Sequence, residues 1–200
     1  YSSKLTAWLN TVMPHTPLYT PFQLFTPKEC RMLIKLAQRQ HVKVRGWTVG
    51  GIHSVRTNSI WWLHQDFAPP HWNLYRRIRT AMSARPDLPM DWISPHWQVS
   101  LYEAGQFYGW HTDTITKWSD QGRRSQRSIT LTATLRTAPG ARIETEHHQW
   151  ELPEGWAVMF PAGDLHRATA PTSDQRWSFT AWGMVWNTDY LLDDDTEPTS

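Results

Sequence analysis

Apolar positions along the chain follow two regimes, helical spacing up to about residue 85 and short alternating runs from about residue 95 onward. Thr26, Pro27 and Glu29 supply the N-cap, the first helical position and the N3 acid of a capping box. Cys30, Leu33, Ile34 and Ala37 then recur on one face, so the spacing predicts an amphipathic helix over about 27–40. After Pro69-Pro70, Trp72, Tyr75, Ile78 and Met82 share one face and Arg76, Arg77 and Arg79 the other, which predicts a second helix. Between the two, Val42–Val49 and Val55–Leu63 alternate about Gly50-Gly51 and read as a hairpin.

The later region breaks into β-branched and aromatic runs separated by Gly, Pro, Asp and Ser. Its strands are expected at Trp97–Tyr102, Tyr108–Asp113, Ser128–Leu135, Ala141–Glu146, Ala157–Phe160, His166–Ala170 and Arg176–Trp186. That spacing predicts an all-β sandwich or barrel. With 200 residues, against roughly 150 per domain, the expectation is a single domain over 1–192. It comprises N-terminal helical support (about 1–85) and a β core (about 95–188), with 193–200 as a mobile acidic tail. No internal repeat and no interdomain linker is apparent.

Composition narrows the partners. A formal net charge of +2 gives no global case for nucleic acid or an anionic membrane. A hydrophobic fraction of 40% with 19% charged residues excludes wholesale disorder. The 14 tryptophans suit aromatic layers around a pocket as well as plain core filling. Cys30 stands alone, which rules out an intrachain disulfide framework and a multi-cysteine metal site, and no disulfide-linked partner is expected. No stretch approaches the roughly 20 apolar residues of a membrane helix, and Tyr1 to Asn10 lack the apolar core of a signal peptide. The expected compartment is the cytoplasm. Tyr1 is not a methionine, so sequence before it is not excluded.

The chemistry gathers on three residues. His111 and Asp113, at i and i+2 of a predicted strand, point to one face, and His166 on a neighbouring strand would complete a 2-His-1-carboxylate set. Such a set leaves coordination positions open, as in non-haem Fe(II) oxygenases. Arg176 opens the alternating run Arg176-Trp-Ser-Phe-Thr-Ala-Trp182. A guanidinium aimed into a barrel needs an anion, and its planar fork suits a carboxylate. Ser178, Thr180 and Trp182 share its face, offering further hydrogen bonds and an aromatic wall, and Tyr102 faces the same cavity.

Four motifs in order carry a resemblance: Arg56-Thr-Asn-Ser-Ile-Trp-Trp-Leu63; Tyr102-Glu-Ala-Gly-Gln-Phe-Tyr-Gly-Trp-His-Thr-Asp113; Gly155-Trp-Ala-Val-Met-Phe-Pro161 with Leu165-His-Arg-Ala-Thr-Ala-Pro171; and Arg176 to Trp182. From about Phe25 to Trp186 the chain resembles the Fe(II)- and 2-oxoglutarate-dependent oxygenases, within them the prolyl 4-hydroxylase-like group. The resemblance implies a mainly β double-stranded β-helix, or jelly-roll, core with flanking N-terminal α-helices. It implies iron on His111, Asp113 and His166, and the distal carboxylate of 2-oxoglutarate on Arg176. Thr134 stands where some relatives place a tyrosine for that carboxylate. Relatives place an arginine like Arg127 at the pocket mouth for substrate, and Arg56 is a second substrate-side candidate. Gly140-Ala-Arg-Ile143 departs from the family's usual Gly-Gly-x-Leu. The implied activity is hydroxylation of an unactivated C–H bond, foremost a prolyl residue of a peptide or protein. It would consume dioxygen and 2-oxoglutarate, release succinate and CO2, and use ascorbate as accessory reductant. Free proline or another small amino acid is the alternative substrate. Alkylated nucleic acid stands further back, because Trp182 occupies the place of the second arginine in the demethylase pattern Arg-x-Asn-x-Thr-x-Arg. A non-catalytic metal-binding module is the remaining reading.

Other polar residues have plainer expectations. His64, His71, His147 and His148 read as surface or structural, and Arg123-Arg124 as a solvated loop. By strand parity Trp110 and Tyr108 point away from the metal and read as packing residues, unless a bulge intervenes. Substrate selection is assigned to loops 64–70 and 114–126.

Overall fold

The computed structural model describes residues 18–40, 44–45, 56–64, 72–83, 88–118 and 124–187. Their elements, in chain order, are β1 (Phe22–Gln23), α1 (Pro27–Arg39), β2 (Val44–Arg45), β3 (Ser59–His64), α2 (Trp72–Ser83), β4 (Trp92–Ile93), β5 (His96–Tyr102) and β6 (Tyr108–His111). There follow β7 (Thr116–Trp118), β8 (Arg124–Arg136), β9 (Ile143–Thr145), β10 (Gln149–Trp150), β11 (Trp156–Pro161), β12 (His166–Ala168) and β13 (Arg176–Asn187). The Gly50-Gly51 turn, the loop around His71, Arg123 and the acidic tail lie outside the described residues.

The strands form two antiparallel sheets. The larger runs β1-β11-β8-β13-β5-β3-β2, with β4 added to β13 and β7 to β8; the smaller runs β10-β9-β12-β6. This is the expected jelly roll with helices on one flank. The short strands β1, β4, β7 and β10 were not expected from sequence, since two or three residues leave no period to read. In the other direction, β6 stops at His111, so Asp113 lies beyond the predicted strand.

Alternation along the long strands separates two environments. Val99, Leu101, Leu131, Ala133, Phe179 and Ala181 pack with Leu33, Ile34 and Ala37 of α1 and with Leu74, Ile78 and Met82 of α2 in one apolar core. Each of the Val, Leu, Ile, Phe and Met side chains among them contributes about 1.5–3 kcal/mol by leaving water. The alternate residues of the same strands, Gln98, Ser100, Tyr102, Thr130, Thr132, Thr134, Arg176, Ser178, Thr180 and Trp182, face the other way. The sheet therefore has an oily side that holds the helices and a polar side available for chemistry.

The N-terminal elements are tied down by specific contacts. Thr26 Oγ1 accepts from the Glu29 backbone N–H, and a Glu29 carboxylate oxygen accepts from the Thr26 N–H at 2.8 Å, completing the capping box. Glu29 also receives a hydrogen bond from Arg77 Nη2 at 2.6 Å. This corrects the expectation that Arg77 sits on the solvent face of α2: it is buried, drawn inward by the capping acid of α1. Gly155, at φ +82°, accepts at its carbonyl from Leu24 and Phe25. A Cβ there would run into the Phe25 carbonyl, so only glycine lets the N-terminal strand lie this close. No helix among the described residues is long and apolar enough to cross a membrane.

Candidate active site

Between the two sheets opens a cavity of about 480 Å³, in the range of small-molecule sites. β6 brings His111, the turn after it brings Asp113, and β12 brings His166, with His166 directly opposite His111 in the ladder. One ligand atom from each lies within 4.8 Å of the others. Nε2 of His111 is 3.6 Å from Asp113 Oδ1, and Nε2 of His166 is 3.6 Å from Oδ2. Bonds of about 2.1 Å to one cation need donor separations of about 3 Å, so these three side chains fit a divalent metal after a small inward shift.

The histidines are prepared for that role by the backbone. Nδ1 of His111 lies 2.8 Å from the Gly109 carbonyl, and Nδ1 of His166 lies 2.8 Å from the Asp164 carbonyl. A carbonyl only accepts, so each Nδ1 carries the proton and each Nε2 turns its lone pair inward. Burial, reinforced by His166, lowers the His111 pKa to about 4, which keeps the ring neutral at ordinary pH. Burial alone would raise the Asp113 pKa, but His166, His111 and Arg127 outweigh it and hold the carboxyl below its usual range. Asp113 Oδ2 accepts from Thr130 Oγ1 and from Trp182 Nε1, each at 2.8 Å.

Trp182 is thus more than the expected aromatic wall: it lines the cavity and fixes the carboxylate. Ser178, Thr180 and Tyr102 line the same cavity, as their parity predicts. Arg176 is buried opposite Tyr102 in the β13–β5 ladder, its Cζ 5.3 Å from that ring, and its Nη1 has no hydrogen-bond partner among the described residues. Burial pulls its pKa down, with Tyr102 pulling the other way. Thr134 is buried too, but with Arg176 it borders a smaller crevice of about 200 Å³ that also touches Pro139 and Glu151.

The substrate-side arginines both reach the cavity. Arg127 is not a rim residue: it is buried, stacks its guanidinium 3.6 Å above the Trp182 ring and donates to the Asp113 carbonyl at 3.4 Å. Arg56 is buried as well, with its Cζ 4.3 Å from the Tyr108 ring and its Nε donating to Asn58 at 2.7 Å.

Parity misplaces Tyr108 here, and Trp110 points away from the metal set as parity predicts but is not packed in a core. Between His166 and Ala168 the β12–β6 ladder shifts register, with Ala168 opposite Tyr108, so β6 carries one extra residue. That bulge turns Tyr108 inward, where it stacks on His111 with centroids 3.4 Å apart and borders the cavity. Burial pushes its phenol up to about 12, so it stays protonated. Trp110, expected in a core, is 42% exposed and sits under the Arg167 guanidinium. Thr130 was missed although its parity with Thr132 and Thr134 was visible; nothing local announces the bulge. Among the described residues His147 and His148 are exposed, with His148 stacked between Tyr19 and Trp150, and His64 meets His96 edge-on; His71 lies outside them.

Comparison with known proteins agrees with this geometry. Residues 97–184 match the sequence model of the 2OG-Fe(II) oxygenase superfamily, whose cofactors are Fe(II), 2-oxoglutarate and dioxygen. A PKHD-type hydroxylase of Synechococcus sp. is 32% identical over 117 residues, covering 54% of this chain and 49% of that protein. The chain spans about half the length of the curated relatives it matches. A Pseudomonas putida prolyl-4-hydroxylase shares the fold with a TM-score of 0.64 at 17% identity, over 90% of this chain and 98% of that one. A Trichoplax adhaerens prolyl hydroxylase, solved with a hypoxia inducible factor peptide fragment, aligns with a TM-score of 0.64 at 13% identity over 98% of both chains. Residues 97–184 therefore carry the match to the 2OG-Fe(II) oxygenase superfamily, and the chain shares the fold of prolyl 4-hydroxylases.

Proposed function

We propose that the protein hydroxylates an unactivated C–H bond of a prolyl residue in a peptide or protein, coupled to conversion of 2-oxoglutarate into succinate and CO2. One observation carries the reading: three preset ligands, His111, Asp113 and His166, converge on a cavity that has an unpaired buried arginine, Arg176, behind it. The prolyl 4-hydroxylase fold and the peptide bound by the Trichoplax neighbour support the choice of substrate.

In this reading His111, Asp113 and His166 hold Fe(II). Bound iron, with 2-oxoglutarate as electron donor, supplies the power to insert one oxygen atom of O2 into the C–H bond. The chain's own part is positioning. Arg176 takes the distal carboxylate of 2-oxoglutarate, removing its orphaned donor, while Ser178, Thr180 and Tyr102 border the cavity that holds the metal set. Thr130 and Trp182 keep Asp113 from rotating, so its two oxygens stay in their present order. Thr134 stands beside Arg176 on the crevice side as a further polar contact. The pocket walls keep bulk water from the reacting carbon.

The test is direct. Protein supplied with Fe(II), 2-oxoglutarate and ascorbate should form succinate, and a prolyl peptide should gain one oxygen atom by mass. Absence of iron-dependent succinate under every substrate condition would overturn the oxygenase reading; hydroxylation of a peptide after its prolines are replaced by alanine would overturn the prolyl one.

A further inference from the structure

The charge of the cavity is lopsided. Asp113 is its only acid among the described lining residues, against Arg56, Arg127 and Arg167. Arg167 is neutralised by Glu144 at 2.7 Å. Arg56 pairs with no carboxylate among the described residues, and Arg127 only shares Asp113 with the two histidines. Arg56 donates from Nε to the uncharged amide of Asn58, and its Nη2 has no hydrogen-bond partner among the described residues. Among the described residues Arg127 Nε has no hydrogen-bond partner, and the Asp113 carboxylate stands 4.0 Å from its Nη1. Each guanidinium lies over an aromatic ring beside the metal set: Arg56 over Tyr108, which stacks on His111, and Arg127 over Trp182, which bonds Asp113.

A buried guanidinium without an anion is costly. Binding a divalent cation worsens the balance, because Asp113 then neutralises the metal. The co-substrate brings two carboxylates, of which one is taken by Arg176 and the other by the metal in the reading above. Excess positive charge remains on the Arg56 and Arg127 side. We propose that Arg56 and Arg127 form an anion clamp for a carboxylate of the primary substrate. The prolyl group acted on then carries its own free carboxylate, as the last residue of a peptide or as the free amino acid. This rests on the prolyl hydroxylase reading and narrows it, since the main chain of an internal proline offers the two arginines only neutral carbonyls.

The experiment compares acid with amide. A capped tripeptide ending in proline and its C-terminal amide form one pair; free proline and prolinamide form the other. With the Fe(II) enzyme and 2-oxoglutarate, the acid should exceed its amide in kcat/KM by at least about 30-fold in the favoured pair. Whichever acid has the larger kcat/KM identifies the source of the carboxylate. Arg56→Gln, which leaves the atoms touching Asp113 in place, should shrink the ratio at least about tenfold. Affinities of the same four compounds for the Zn(II)-loaded protein with 2-oxoglutarate, read by calorimetry, supply the same comparison without turnover. If no prolyl compound is hydroxylated, the hydroxylase reading fails while the calorimetric ratio still decides the clamp. Equal binding of acid and amide, or an internal-proline peptide binding as tightly as either acid, would overturn it. So would an Arg56→Gln protein whose KM for 2-oxoglutarate rises while the acid-to-amide ratio holds, since the clamp would then serve the co-substrate.

Discussion

Trp182 Nε1 donates to Asp113 Oδ2 at 2.8 Å across 69 residues of sequence, tying the central strand β13 to the turn that carries the carboxylate. The contact makes an aromatic wall into a positioning device. Trp182→Phe retains the ring that carries Arg127 and removes the donor. Loss of such an outer contact typically costs 10–100-fold in metal affinity, so a Co(II) titration should show at least about a tenfold weaker site. Unchanged affinity would mean that Thr130 alone orients Asp113.

Replacing His111, Asp113 or His166 by alanine should abolish tight Fe(II) binding and succinate formation together. Two remaining donors do not define the geometry of a labile divalent ion. Full activity of Asp113→Ala at limiting iron would remove the carboxylate from the ligand set.

Arg176→Ala separates the co-substrate from the metal. Truncating one partner of a buried charge-assisted contact costs about 2–5 kcal/mol, so the apparent KM for 2-oxoglutarate should rise at least about 30-fold. Co(II) affinity without 2-oxoglutarate should stay near that of the native protein. An unchanged KM would shift the distal carboxylate to another cation.

The N-terminal helices give a pH-dependent signature. Burial would raise the Glu29 pKa, but Arg77 and the Thr26 backbone N–H hold it below its ordinary 4.5. A carboxyl with a depressed folded pKa stabilises the fold above its unfolded pKa and loses that contribution as pH falls through the folded value. Urea melts should therefore show native stability declining below about pH 4.5, with a shallower decline in Glu29→Gln, which lacks the titrating group. Parallel pH profiles for the two proteins would show that the Glu29–Arg77 contact contributes nothing measurable.

How much was legible in the sequence depended on whether period alone decided the outcome. The capping box at Thr26, the long strands and the inward parity of Ser178 and Trp182 follow from spacing of 3.6 or 2, and the structure shows them, while Arg176 is buried but borders the smaller crevice. The His111, Asp113 and His166 set was reached through a strand extending to Asp113, yet the turn after β6 delivers the carboxylate to the same place. Tyr108 was unreadable because one inserted residue in β6 reverses every parity before it. Arg77 was misplaced because helical periodicity does not see an acid on another helix. The partners of Asp113, from β8 and β13, are brought together only by the closing of the sheet.

The protons of His111 and His166 are fixed by main-chain carbonyls of Gly109 and Asp164, each two residues upstream of its histidine. A carbonyl is common to all amino acids, so a point substitution at Gly109 or Asp164 changes the side chain and leaves the acceptor in place. The imidazole half of the metal set is consequently shielded from genetic drift. Variation that retunes the reactivity of the centre has to enter through the side chains around Asp113, which makes Thr130 and Trp182 the natural places to search when relatives of this chain differ in rate or in choice of metal.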